Sequence, residues 1–430
     1  MTTASVPGPL SEVTSAGRGS LGVVQGAALT LGAVLGTGVI SLPALAAQEA
    51  GPAALVAWFG LVLVSIPLAS TFAALGARYP DGGGVATYAR RAFGSRVATV
   101  TGWCFYFAIP LGVPGAAGFA GAYVADSLGG GRQTQLITSA LLIGTVAVMN
   151  WYGVRISGRI QIVIAAVLAL LLMVATTVSL PHASIANLTP FAPHGWTAVG
   201  TAAALLIWAF AGWEVVTSLS SEYRDPARDI SRATTIALVT MGAMYLGVAF
   251  ATVSVLGDNV SAAPLSDLLV LGFGEPARGV TAGVAVLLSL GAMNAYFAGN
   301  ARLGAALGRD GSLPRWFARG SSAGEVPRRS LAVVTASTFL TLLWVAVTGA
   351  AIESTMLLVT GAVALVYVVG TAAALRLLPR GTWVRRGAAI AFAASLLLLA
   401  LTGKHLLPQL ITGLAALAWT ARSGRTSPRE

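Results

Sequence analysis

The chain has 430 residues, 56% of them hydrophobic and 10% charged, with a mean hydropathy of +0.80 and a formal charge of +11. Soluble domains are about 45–50% apolar and about 25% charged, so both departures exclude an ordinary globular protein. Apolar runs of about 17–25 residues, the length that crosses a ~30 Å hydrocarbon layer, recur from end to end and define a polytopic helical membrane protein.

The first twenty residues, "MTTASVPGPLSEVTSAGRGS", are polar and lack a basic segment followed by an apolar core. They are expected to form a short disordered cytoplasmic tail (1–20), not a cleaved signal peptide. Twelve spans follow, at 21–48, 52–77, 97–125, 134–152, 160–180, 198–220, 233–256, 279–301, 330–349, 354–375, 387–403 and 406–421. No soluble domain fits between them, and the longest connection, about 303–329, is basic. Of the 26 Lys and Arg residues, all but Arg132, Arg278 and Lys404 fall in one set of alternate loops. Cytoplasmic loops retain Lys and Arg, which puts both termini inside, with 422–430 as a second cytoplasmic tail, in a cell inner (cytoplasmic) membrane. The positive charge is therefore a topology signal with anionic-lipid contact as its side effect, and no nucleic acid partner is expected. Cys104, the single cysteine, sits in span 3 and reads as an inert packing residue.

Two spans are interrupted at mid-depth. Span 1 contains "LTLGAVLGTGVISLPAL", residues 29–45, and span 6 contains "LLIWAFAGWEVVTSLSSEY". They lie five spans apart, in the same place of two consecutive blocks of five. A five-span block repeated once must lie in opposite orientations, and paired interruptions in such halves point to a transporter's binding site. The expected organisation is a first repeat at 21–180, an inverted second repeat at 198–375 and a C-terminal helical hairpin at 387–421.

In span 1, "GAVLG" from Gly32 to Gly36 could be a helix-packing contact. That leaves Thr37, Gly38 and Pro43 unexplained, whereas an unwound segment accounts for them. Freed N–H groups at a half-helix N-terminus favour an anion, and freed carbonyls an ammonium. In span 6, Gly212 and Glu214 stand inside the apolar run. A carboxyl at a helix centre costs roughly 2.5–3.5 kcal/mol on insertion scales, so it is either functional or a structural group bonded to nearby backbone. A proton carried by Glu214 would couple proton movement to transport. Asn294 and Asn300 in span 8 could hold a ligand or tie helices together. Trp208 and Tyr106 read as packing residues on pattern alone. Pro110 and Pro114 are expected to kink span 3. The cytoplasmic stretches "RYPDGGGVATYARRAFGSR" and "RDGSLPRWFAR" read as turns plus interfacial amphipathic pieces.

Enzyme motifs are missing: there is no H-E-x-x-H and no G-x-S-x-G, and the three histidines (His182, His194, His405) fall at outward loops or their borders. No metal-ligand cluster can be assembled with one cysteine, so neither a metal nor a cofactor is expected.

Four motifs in order resemble the amino acid–polyamine–organocation (APC) transporters across nearly the whole chain. They are "LGTGVISLP", "YPDGGGVATYARRAFG", "WAFAGWEVVTSLSSEYRDPARDISRA" and "GNARLGAALGRDGSLP". The stretch "RVATVTGWCFYFAIPLGVPGAA" is similar to bacterial exporters of methionine and branched-chain amino acids. The resemblance implies an all-α, LeuT-like 5+5 inverted repeat that holds substrate between broken helices 1 and 6. It implies a substrate-binding set of Val34, Gly36, Thr37, Gly38, Trp208, Ala211 and Gly212. In it, Thr37 and Gly38 meet a carboxylate, while the carbonyls of Val34, Trp208 and Ala211 meet an ammonium. It further implies gating by Trp208 and, by a looser match, Tyr106, with Glu214 as the acid beside the break. Some proton-coupled relatives carry a lysine in span 5, but "RISGRIQIVIAAVLALLL" has none, which leaves Glu214 as the expected proton carrier. No hydroxyl cluster of the sodium-site kind stands in span 8.

The function expected is secondary active transport of a small neutral amino acid, as proton-coupled export of methionine or branched-chain amino acids. The alternatives are an uptake permease or exchanger for other amino acids or polyamines, and a non-transporting receptor or scaffold. Membrane lipids are the other expected partners, and the sequence does not choose between a monomer and a homodimer.

Overall fold

The structure, a computed structural model, describes residues 21–79, 84–153, 158–214, 220, 223–321, 325–352 and 354–423. The N-terminal tail, Arg18, Arg155, Arg425, Arg429 and most of span 6 beyond Glu214 lie outside the described residues.

The described chain is helical. Among the described residues, nine helices are long and apolar enough to cross a membrane. Three of the twelve expected spans do not count toward those nine, each for a structural reason. Spans 1 and 6 are split into short pieces, and the last helix, Leu407–Ser423, has 17 residues. Span 2 is Ala54–Arg78, span 3 is Ser95–Ser127, span 4 is Arg132–Trp151 and span 5 is Gly158–Ser179. Span 7 is Pro226–Ala251, span 8 Pro276–Arg309, span 9 Arg328–Thr348, span 10 Ser354–Leu377 and span 11 Trp383–Leu401.

Local chemistry explains several of these limits. Span 7 begins where Asp225 accepts from the N–H of Arg228 at 3.3 Å and Pro226 takes the first helical position, where a missing N–H costs nothing. Span 8 runs about two turns past its apolar stretch, because "ARLGAALGR" is rich in good helix formers. The connection expected at 303–329 is correspondingly shorter. Span 3 continues as one helix through Pro110 and Pro114. The expected amphipathic piece before span 3 is the helix Gly84–Phe93, which buries Val85, Tyr88 and Ala89 and ends on Arg90 and Arg91. A second short helix, Pro264–Phe273, precedes span 8 and lies outside the expected spans, since ten residues are too few to cross a bilayer. The two short helices occupy matching places in the order of elements, each between the second and third span of a block of five.

Span 3 lies at the centre of the bundle and is buried along most of its length. Spans 4, 5, 9 and 11 instead expose apolar residues such as Leu141, Leu170, Leu340 and Ile390, as helices facing lipid do. The asparagines of span 8 tie helices together. Asn150 of span 4 donates to Asn294 Oδ1 at 2.7 Å, and Asn300 donates to the Tyr106 carbonyl at 2.9 Å.

Candidate functional site

Span 1 is helical over Val23–Leu35, stops at Gly36, restarts as a 3-10 turn at Gly38–Ile40 and continues as the helix Leu42–Ala50. Gly36 has φ +28°, which a side chain disfavours. Span 6 is helical over Thr197–Leu206, tightens to a 3-10 turn at Ile207–Phe210, and turns extended at Ala211, with ψ +146°. Gly212 follows with φ +118°, and Glu214 comes two residues later. Each interruption therefore pivots on a glycine in a conformation that L-residues avoid.

The interruptions meet. A Cβ on Gly38 would lie 2.9 Å from Cδ1 of Trp208 and 3.5 Å from Cα of Ala209, so the absence of a side chain lets the two backbones close. The Trp208 ring also lies on span 3, where a Cβ on Gly112 would stand 2.9 Å from it, and beside Tyr296 of span 8 at 6.2 Å between centroids. Trp208 is 7% exposed. The ring is wedged between spans 1, 3 and 8.

Polar groups at the two interruptions are treated differently. In span 1, Thr37 and Ser41 are 2% and 3% exposed, and neither hydroxyl has a hydrogen-bond partner. Ser41 precedes the half-helix Leu42–Ala50 without capping it. An unanswered buried hydroxyl costs about 1–3 kcal/mol, and these two, beside a helix N-terminus, are donors that an anionic group could accept from. In span 6 the polar groups are tied. The Tyr367 hydroxyl of span 10 lies 2.8 Å from the Phe210 carbonyl and 3.1 Å from Glu214 Oε2, and the N–H of Gly212 donates to the same Oε2 at 3.0 Å. Glu214 is partly buried.

Tyr245 of span 7 joins the two interruptions. Its hydroxyl lies 2.8 Å from the carbonyl of Val34 and 2.7 Å from that of Ala209. Carbonyls can only accept and a phenol has one proton, so the two oxygens share it. Each carbonyl oxygen has a second lone pair. Trp58 and Phe210 pack edge-on against the Tyr245 ring at 5.2 and 5.3 Å and hold it in place. A third tyrosine, Tyr123 of span 3, donates to the Ile40 carbonyl at 2.5 Å and accepts from the N–H of Leu265 at 3.1 Å, which links the helix Pro264–Phe273 to the end of the span 1 interruption.

Of the residues expected from sequence, Val34, Gly36, Thr37, Gly38, Trp208, Ala211, Gly212 and Glu214 come together at the two interruptions. The carbonyl of Trp208 accepts from the N–H of Ala211 at 3.3 Å, and Val34's is shared with Tyr245. Tyr106 is placed elsewhere: its hydroxyl bonds Ser330 Oγ at 3.0 Å and its ring meets Phe107 and Phe317. Sequence reasoning missed Tyr123, Tyr245 and Tyr367. The available signal was a tyrosine deep inside an apolar span, whose hydroxyl must find a partner there.

An all-helical bundle with two interrupted helices meeting at its centre has the architecture of a membrane transporter, in which unwound backbone is buried in protein. Residues 21–414 match the amino acid permease family, and the chain belongs to it. It is 33% identical to the uncharacterized amino acid permease YecA of Bacillus subtilis, over 86% of this chain and 88% of that one. It is 37% identical to the L-methionine/branched-chain amino acid exporter YjeH of Escherichia coli, over 66% of this chain and 68% of that one. It is 32% identical to the uncharacterized transporter Rv1999c of Mycobacterium tuberculosis, over 74% and 72%.

Proposed function

We propose that this permease is a secondary active transporter of a neutral amino acid, bound between the interruptions of spans 1 and 6 and moved by alternating access. The observation that carries the reading is the pair of unpartnered, buried hydroxyls of Thr37 and Ser41 in the span 1 interruption, beside which the Val34 and Ala209 carbonyls, joined by Tyr245, each have a second lone pair. A zwitterion answers both: its carboxylate accepts from the hydroxyls, and its ammonium donates to Val34 and Ala209. No Lys or Arg stands among the described residues named at the interruptions, which suits a neutral side chain. The likeness to YjeH supports methionine, leucine or valine as substrate and export as direction.

Glu214 is the coupling group in this reading. Ionised, it accepts from Gly212 and Tyr367; protonated, it can donate to the Tyr367 oxygen while Tyr367 keeps Phe210. A proton arriving at Glu214 thus reorders bonds to the turn that carries Trp208. The arginine-rich ends of the spans face the cytoplasm, both termini lie inside, and the membrane is the cytoplasmic one. The elements divide into two inverted five-span repeats and a C-terminal hairpin. Proteoliposome counterflow with each of the twenty amino acids tests the function. Exchange of neutral amino acids is the expected result, and movement of none would leave a receptor.

A further inference from the structure

Away from the interruptions, the arginine-rich end of the bundle holds a cavity of about 500 Å³ lined by Arg319, Gly320, Glu325, Val326, Arg328 and Arg329. Its three cations outnumber the one acid lining it among the described residues. Two of the arginines are preset. Arg328 Nε donates to the Trp151 carbonyl at 3.3 Å, and its guanidinium lies 5.7 Å from that indole's centre. Arg329 donates to the Trp316 carbonyl at 3.3 Å and lies 5.3 Å from its ring. Each guanidinium has five N–H donors, of which these bonds take one, and the remaining fork matches a phosphate. Both indoles face outward, Trp151 at 42% and Trp316 at 48% exposure, as tryptophans do at the headgroup level of a bilayer.

A second feature points to a lipid over a free anion. Trp151 ends span 4 and Arg328 begins span 9, and the two helices pack side by side. At Gly144 of span 4, an added Cβ would come within 4.0 Å only of Phe339 of span 9, which leaves a shallow groove flanked by exposed Val148 and Leu340. A soluble phosphate would have no use for this groove, whereas an acyl chain could lie along it.

We propose that this is a binding site for an anionic phospholipid, with its phosphate on Arg328 and Arg329 and its acyl chain in the groove between spans 4 and 9. The site depends on the membrane-spanning fold and not on the substrate reading. Native mass spectrometry of the purified full chain, titrated with phosphatidylglycerol or phosphatidylcholine of the same acyl chains, tests it. Phosphatidylcholine carries the same phosphate but adds a cationic choline that the arginines repel, so the expected preference for phosphatidylglycerol is about twenty-fivefold, the product of two basic residues each worth roughly fivefold near an anionic headgroup. The Arg328→Ala/Arg329→Ala pair should abolish it. Gly144→Leu, which fills the groove and touches no arginine, should weaken retention of phosphatidylglycerol and keeps the test alive if the double variant fails to fold. Equal binding of the two lipids, or a preference that survives both variants, overturns the proposal. Displacement of the lipid by millimolar inorganic phosphate, with Gly144→Leu indifferent, would make this a free-anion site and overturn it as well. A chain that moves no amino acid yet shows the lipid pattern would sink the transport reading and leave this one standing.

Discussion

In span 1 the helix stops at Gly36, and the hydroxyls that follow, on Thr37 and Ser41, find no partner. In span 6 it stops before Ala211 and Gly212, and the carbonyls of Ala209 and Phe210 and the carboxyl of Glu214 are held by tyrosines from spans 7 and 10. The two regions share a backbone device, a glycine at positive φ, and differ in what surrounds it. A buried polar group without a partner calls for an explanation, and in the proposed reading span 1 is the side that receives the ligand. Span 6 is wired to its neighbours through hydroxyls that can change partners, and in the same reading it is the side that transmits a change. Tyr245, which touches Val34 and Ala209 at once, is the joint between them.

The largest expected effect comes from removing the device itself. Gly212→Val puts a β-branched residue at φ +118°, a strain of order 1–3 kcal/mol or more, and should cut counterflow by about a hundredfold or to background. Gly36→Val should do the same from the other side, and wild-type rates in both would dissolve the comparison. Glu214→Gln is narrower: accumulation driven by a pH gradient should vanish while counterflow continues, and unchanged pH-driven transport would remove Glu214 from coupling. Tyr245→Phe leaves two buried carbonyls without their shared donor. The detergent-solubilised protein should lose about 1–3 kcal/mol, read as a lower melting temperature, and unchanged melting would argue against the joint. The smallest effect has the opposite stability sign. Thr37→Ala deletes a hydroxyl that bonds nothing, so melting should hold or rise while substrate affinity falls by roughly two- to tenfold. A fall in stability with affinity intact would mean that the hydroxyl serves the fold.

The spans were legible because an apolar run of bilayer length admits one structure, and the interruptions were legible because glycine crowded into such a run opposes helix propensity. The helix Pro264–Phe273 was not, since ten apolar residues between turns look like any loop border. Asn294 and Asn300 could not be decided from sequence. An asparagine in a span binds whatever faces it, and here that is Asn150 and the backbone of Tyr106. The tyrosines were hidden for the same reason. Whether Tyr123, Tyr245 and Tyr367 pack or clamp depends on which carbonyl tertiary structure brings within 3 Å, and those carbonyls are freed only by interruptions far away in sequence.

The central claim, that the span 1 interruption receives the carboxylate of an amino acid, is tested most directly by isothermal titration of purified protein with L-methionine and with 3-(methylthio)propylamine. The amine keeps the side chain and ammonium and lacks the carboxylate. The account predicts binding weaker by roughly four- to a hundredfold, the product of hydrogen bonds to Thr37 and Ser41 each worth two- to tenfold. Equal affinity for the two would contradict it.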